Sequence, residues 1–141
     1  MIRNIQINDF NKNYLNLLNQ LSKTKFNFDE FEKYVNNLND NHHIRVIEIN
    51  NRIIATGTLF IESKLIHNIN KVGHIEDIII DKNHRGKGYG MLIINNLIDI
   101  AKKNNCYKVI LNCNNNLRKF YEKCGLEYKG CQMAKYFSIT N

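Results

Sequence analysis

Hydrophobic positions along the chain change period several times, and each change marks an element. Arg3 to Ile7 reads as a first strand with Ile5 and Ile7 on one face, and Phe10, Tyr14, Leu17, Leu18 and Leu21 then fall on one helical stripe. A polar break at Ser22 to Lys25 precedes a second helix whose face is Phe28, Phe31, Val35 and Leu38. Asn27 with Glu30 forms a capping box at its start. Ile44 to Ile49 and Arg52 to Glu62 are rich in Ile, Val, Thr and Phe around Asn50-Asn51, a pair suited to a tight turn with positive φ, so a β-hairpin is predicted. Lys64 to Lys71 is a polar, basic loop. Ile75 to Ile80 is a short, dense β-branched run, read as a strand buried on both faces. In Met91 to Ala101, the residues Leu92, Ile94, Leu97, Ile98 and Ala101 give one helical face. Lys108 to Cys113 reads as a strand, and Leu117, Phe120, Tyr121 and Cys124 mark a short helix closed by Gly125. Gln132 to Phe137 supplies a last strand. The order β, α, α, β, β, β, α, β, α, β, without repeat or linker in 141 residues, predicts a single α/β (α+β) domain over 1–141 with helices on both faces of a mixed sheet.

Two features break the apolar pattern and carry the candidate chemistry. Glu76 and Asp77 interrupt the strand. Adjacent carboxylates in a regular strand point to opposite faces, and an unpaired buried charge is very costly. At least one must therefore meet water, a cation or a ligand, unless a bulge or strand end lets both see solvent. After the strand comes Arg85-Gly86-Lys87-Gly88-Tyr89-Gly90, a glycine-rich basic turn opening a helix. A helix start has backbone N–H groups without partners and a partial positive charge, so glycines that bare the backbone there make an anion site. The chain has no GxxxxGK[ST] string, and the glycine spacing GxGxG differs from the dinucleotide fingerprint GxGxxG.

Composition narrows the classes. Lys and Arg outnumber Asp and Glu 20 to 13, a formal charge of +7 that favours an anionic ligand. The basic residues are scattered, with no basic helix, arm or reader motif, which argues against nucleic acid. Cys106, Cys113, Cys124 and Cys131 lack CxxC spacing and the five histidines lack metal-site spacing, so no metal is expected and free thiols in a reducing, cytoplasmic compartment are. No apolar run approaches the roughly 20 residues of a membrane span.

The turn with Arg85, Gly88 and Gly90 resembles the acyl-CoA pyrophosphate loop, [QR]-x-x-G-x-[GA], of the GNAT N-acetyltransferase superfamily. Longer strings resemble one family within it, the glucosamine 6-phosphate N-acetyltransferases: ATGTLFIESKLIH at Ala55 to His67, VGHIED at Val72 to Asp77, CYKVILNC at Cys106 to Cys113 and FYEKCGL at Phe120 to Leu126. They fall in that family's order and spacing.

The resemblance implies a GNAT-type, mostly antiparallel sheet and transfer of acetyl from acetyl-CoA to the 2-amino group of glucosamine 6-phosphate, toward UDP-N-acetylglucosamine. It implies that Ile78, Ile79, Ile80, Arg85, Gly86, Lys87, Gly88, Tyr89, Gly90, Asn116 and Tyr121 meet the cosubstrate. Ser22, Lys64, Leu65, Ile66, His67, Glu76, Asp77 and Asn112 would meet the amino sugar phosphate, and Tyr121, Glu76, Asp77 and Asn112 would serve catalysis, with the Tyr121 hydroxyl reaching the CoA sulfur. It also implies a homodimer with shared sites and an intertwined C-terminal strand at Met133 to Phe137. Two positions depart from the family: Asn112 stands where Asp or Glu is usual, and Leu117 where an Asn contacts CoA, with Asn116 beside it. The alternatives are a GNAT acetylating another amine, such as a polyamine or protein amino group, and a non-catalytic acyl-CoA-binding module.

Overall fold

A computed structural model describes residues 1–138 and divides into two compact units, Met1–Leu111 and a second that begins at Asn112. The first holds a five-stranded sheet in the order β1 (Ile2–Asn4), β2 (His42–Ile49), β3 (Arg52–Ser63), β4 (Lys71–Ile80) and β5 (Cys106–Ile110). Neighbours from β1 to β4 are antiparallel, and β4 and β5 are parallel, joined by the long helix α4 (Tyr89–Lys103). A parallel pair needs such a crossover.

One face of the sheet carries α1 (Tyr14–Leu18) and α2 (Phe28–Asn36) over a core of Ile5, Tyr14, Leu17, Phe31, Ile44, Val46, Ile53 and Ile79. The expected stripe from Phe10 to Leu21 is not one helix. A 3-10 turn spans Ile7–Asn11, and Asn13, at φ 70°, separates it from α1. The capping box forms, with Asn27 and Glu30 exchanging hydrogen bonds of 2.9 Å in both directions. Asn50 and Asn51 take φ 50° and 62° in the β2–β3 turn, as read.

The other face carries α4. Its buried residues are Ile93, Ile94, Leu97 and Ala101, so Ile94, Leu97 and Ala101 are buried as expected, Ile98 is half-buried, and Ile93 is buried in place of Leu92, which is exposed. Burying each large aliphatic contributes about 1.5–3 kcal/mol. Two glycines permit the close approach. A Cβ at Gly57 would lie 2.6 Å from Ile78 Cδ1 and 2.7 Å from Ile93 Cγ2, and one at Gly73 would lie 2.9 Å from Leu59 Cδ1.

β5 ends at Ile110, short of the expected Cys113. The second unit contains a 3-10 turn, Asn115–Leu117, and helix α5 (Arg118–Lys123), followed by Gly125 at φ 92° as the helix stop. The last strand expected at Gln132–Phe137 does not form. Those residues are exposed and without regular structure, and an extended segment without a strand beside it has no partners for its backbone groups.

Candidate functional site

The centre of the first unit is an irregularity in β4. Thr56 pairs with Ile79 and Thr58 with Glu76, so β4 has one residue more than β3 between these pairs. The surplus is taken up at Asp77, whose φ is 51°, a left-handed value that Asp and Asn tolerate better than other side chains. The consequence corrects the opposite-face reading. Glu76 is directly opposite Thr58 and so shares its face, Asp77 and Thr58 both line one cleft, and both carboxylates are exposed. The bulge turns the acidic pair onto one side of the sheet.

That cleft, of about 340 Å³, lies under α1 and α2 and is lined by Tyr14, Phe26, Tyr34, His42, Thr58 and Asp77 among others. At its wall the Thr56 hydroxyl donates to the Arg45 carbonyl, 3.0 Å, so the Tyr14 hydroxyl must be the donor in its own 3.0 Å bond to Thr56. Burial pushes the Tyr14 phenol up to about 12, keeping it protonated.

Beside the bulge, the other edge of β4 is open. The β4–β5 ladder ends at His74 with Ile110, and among the described residues no strand pairs with Ile75–Ile80 on that side. Asp81 donates its N–H toward β3, to Ile54, while the Ile80 carbonyl accepts from Arg85 Nε at 3.0 Å. By alternation, Ile78 and Ile80 turn their backbone groups to the open edge and Ile79 turns to β3. The Ile79 side chain is core. Ile78 packs toward α4 at Gly57.

The glycine turn follows directly. Gly86 and Gly88 have φ 75° and 89°, and nothing lies within 4 Å of a Cβ built on either. Gly88 is the N-cap of α4 with no side chain capping it, and the first helical bond is Leu92 N–H to Gly88 O. The N–H groups of the first turn, at Tyr89, Gly90 and Met91, therefore have no helical acceptors. Arg85 and Lys87 are exposed beside them.

A second polar cluster lies at the far end of β4. His74 Nε2 donates to Glu62 Oε1 at 2.9 Å, and Lys64 Nζ is 3.6 Å from Glu62 Oε2. His74 holds the Glu62 carboxyl below its ordinary value, Lys64 adding to this. His74 is two residues from Glu76, about 7 Å along the strand. After Lys64 the chain makes a turn, α3 (Ile66–Ile69), in which His67, Asn68 and Ile69 all have positive φ, and the His67 ring sits 4.5 Å from that of Tyr107. Leu65 and Ile66 project outward, 87% and 64% exposed.

Ser22 is exposed in the turn after α1. In the second unit Asn112 and Asn116 are exposed, and Tyr121 on α5 is half-buried against Phe120. Burial pushes the Tyr121 phenol up, with Cys113 and Cys124 contributing.

Sequence reasoning missed Tyr14, Thr56 and His74, and it missed Asp81. Asp81 is 7% exposed, accepts from Gln20 Nε2 at 2.7 Å and from His84 Nδ1 at 2.8 Å, and is held below its ordinary value by those bonds. Its place between the strand and Lys82-Asn83-His84 is a cap signal.

The family model for the Acetyltransferase (GNAT) family matches residues 4–126. The chain is 42% identical over 142 residues to a glucosamine 6-phosphate N-acetyltransferase of Arabidopsis thaliana, covering 96% of this chain and 95% of the relative. It is 43% identical over 139 residues to glucosamine 6-phosphate N-acetyltransferase 1 of Dictyostelium discoideum, covering 95% and 88%. The crystal structure of the Arabidopsis thaliana enzyme superposes with a TM-score of 0.96 at 41% identity, over 98% of each chain. With a matching fold and loop, and 42% and 43% identity over nearly the full length, the chain belongs to the GNAT acetyltransferases and, within them, to the glucosamine 6-phosphate N-acetyltransferase family.

Proposed function

We propose that the protein transfers acetyl from acetyl-CoA to the 2-amino group of glucosamine 6-phosphate, giving N-acetylglucosamine 6-phosphate and CoA, a step toward UDP-N-acetylglucosamine. The observation that carries this reading is the bulged end of β4. An exposed acidic pair, an open strand edge and an uncapped helix start follow one another between Glu76 and Gly90.

Each part has a task. The free N–H groups of the α4 first turn, with Arg85 and Lys87, suit the pyrophosphate of acetyl-CoA, and the backbone of Ile78 and Ile80 suits its amide-bearing arm. Ser22, Lys64, Leu65, Ile66, His67 and Asn112 are assigned to the amino sugar phosphate, Lys64 supplying a charge-assisted contact to phosphate. The sugar amine attacks only when neutral, so its proton must leave first. Asn112 has no basic site, and water held by Glu76 or Asp77 takes the proton. The C–N bond then forms at the thioester carbonyl, charge gathers on its oxygen, and the C–S bond breaks. The Tyr121 phenol donates to the departing thiolate and Asn116 meets the cosubstrate.

We further propose a cytoplasmic homodimer with shared sites. Supporting it, Met133, Tyr136 and Phe137 are 90%, 92% and 77% exposed in the second unit, and Leu65, Ile66 and Ile69 form an outward apolar turn in the first. Large exposed apolar side chains in a group mark interaction surfaces. No described helix is long and apolar enough to cross a membrane.

The assay is CoA release from acetyl-CoA with glucosamine 6-phosphate, glucosamine, spermidine or a basic peptide as acceptor. The reading requires glucosamine 6-phosphate to give by far the largest kcat/KM. Preference for spermidine or the peptide moves the protein to another amine, and no turnover with any acceptor leaves only a binding module.

A further inference from the structure

Between α1 and the glycine turn lies a hydrogen-bonded clip that none of the proposed catalytic steps uses. The Gln20 side-chain amide engages two consecutive residues at the end of β4. Its Nε2 donates to Asp81 Oδ1 at 2.7 Å, and its Oε1 accepts the Lys82 backbone N–H at 2.9 Å. The other oxygen of Asp81 accepts the Asn83 N–H at 3.2 Å and His84 Nδ1 at 2.8 Å. The Asp81 backbone is itself fixed, its N–H donating to Ile54 O and its carbonyl accepting the His84 N–H, both at 2.8 Å. The His84 ring then stands 6.3 Å from Tyr89, the first residue of α4.

Both ends of this chain of contacts lead to a substrate. Gln20 lies in the turn that ends α1, its N–H bonded to Leu17 O, and two residues on is Ser22, in the exposed segment assigned to the sugar phosphate. The segment Lys82–Gly88 runs straight into the uncapped α4 start assigned to the cosubstrate pyrophosphate. The Asp81 carboxylate is nearly buried, and Gln20 supplies one of its three side-chain hydrogen bonds. A shift of the α1–α2 segment relative to the glycine turn therefore breaks two bonds at once, one to a buried carboxylate and one to the Lys82 backbone N–H, and a nearly buried charge that loses a partner is costly. The two segments are thereby constrained to order together.

Resting on the proposed function, we infer that Gln20 and Asp81 are positioning residues that make binding of the two substrates interdependent. Whichever ligand orders its own segment holds the other in place through the clip. Coupling of this kind is reciprocal and typically amounts to about 5- to 150-fold in affinity.

The test uses CoA and glucosamine 6-phosphate, which together cannot react. Calorimetry gives the CoA dissociation constant with and without saturating sugar phosphate, in the unaltered protein and in Gln20→Leu and Asp81→Asn. The unaltered protein should bind CoA at least about fivefold more tightly with the sugar phosphate present. Gln20→Leu should bring that ratio close to one with a modest change in CoA affinity measured alone. Asp81→Asn keeps an acceptor for the Asn83 N–H but not the charge, and should lower the ratio in part. A purely structural role would lower thermal stability and leave the ratio intact. A ratio of one in the unaltered protein, or one unchanged in a folded Gln20→Leu, overturns the inference while the functional reading stands. A protein that binds CoA but never acetylates glucosamine 6-phosphate removes that reading and this inference with it.

Discussion

Asp77 is held at φ 51° in the β4 bulge with its carboxylate exposed. Asparagine is equally tolerant of that backbone region, so Asp77→Asn retains the bulge and removes the charge alone. If the carboxylate holds the water that accepts the amine proton, kcat/KM should fall by at least about tenfold, near 1.4 kcal/mol. The melting temperature should shift by less than about 3 °C, as for an exposed substitution. Steady-state kinetics beside a thermal scan separates the two, and an unchanged kcat/KM contradicts the role. Tyr121 is the proposed acid partner. Burial raises its phenol, so it enters the reaction protonated, and general-acid help of this kind is typically worth about 10²- to 10⁴-fold. Tyr121→Phe keeps the ring and should slow single-turnover chemistry at least about tenfold while acetyl-CoA affinity holds. Equal rates would make Tyr121 a packing residue. The acidic pair stood out in sequence because two carboxylates interrupt an apolar run, whereas the role of Tyr121 came only from the family resemblance. The shared face of Glu76 and Asp77 was not legible, since alternation assumes a regular strand and the surplus residue shows only in the pairing with β3. Asp81 was hidden for a related reason: its partner Gln20 is 61 residues away in sequence.

Among the elements, the turn from Arg85 to Gly90 was the clearest in sequence, and it does open a helix as read, because strand, glycines and helix start are local properties. Gly88 at φ 89° adds a constraint. A side chain there costs about 1–3 kcal/mol in backbone strain as well as covering the bare N–H groups. Gly88→Val should therefore lose at least about tenfold in acetyl-CoA affinity by calorimetry on the folded variant, with some loss of stability. Unchanged affinity would refute the loop's role. Elements that depend on neighbours were read less well. The stripe from Phe10 to Leu21 is helical in period, yet Asn13 breaks it. In α4 the expected Ile94, Leu97 and Ala101 are buried, but Ile93 takes the place given to Leu92, since it is Ile93 that packs at Gly57. Apolar and β-rich character at the C-terminus does not make a strand without an edge to join, and Met133 to Phe137 stay outside regular structure.

For the molecule as a whole, fold class and helix-flanked mixed sheet followed from the order of periodicities, whereas the ion network that anchors the N-terminus did not. Arg3 bonds the fully buried Asp9 at 2.9 and 2.7 Å and Glu48 at 2.6 Å, and Lys12 reaches Glu48 at 3.0 Å. Bonds from Arg3, then Lys12, hold Glu48 below its ordinary value of 4.5. A carboxyl depressed in the folded state stabilises the fold above its unfolded pKa, and that contribution is lost as pH falls through the folded value. The melting temperature should therefore drop more steeply below about pH 4.5 in the unaltered protein than in Glu48→Gln, which has already lost the term. Parallel curves would show that the network contributes nothing.

The reaction itself is tested most directly by competition in one vessel. Equimolar glucosamine 6-phosphate, glucosamine and spermidine compete for limiting acetyl-CoA, and the products are identified by mass spectrometry and NMR, so acetyl partitions by kcat/KM. The proposed reaction puts nearly all of it on the 2-amino nitrogen of glucosamine 6-phosphate. Acetyl shared equally with glucosamine, or found chiefly on spermidine, contradicts it.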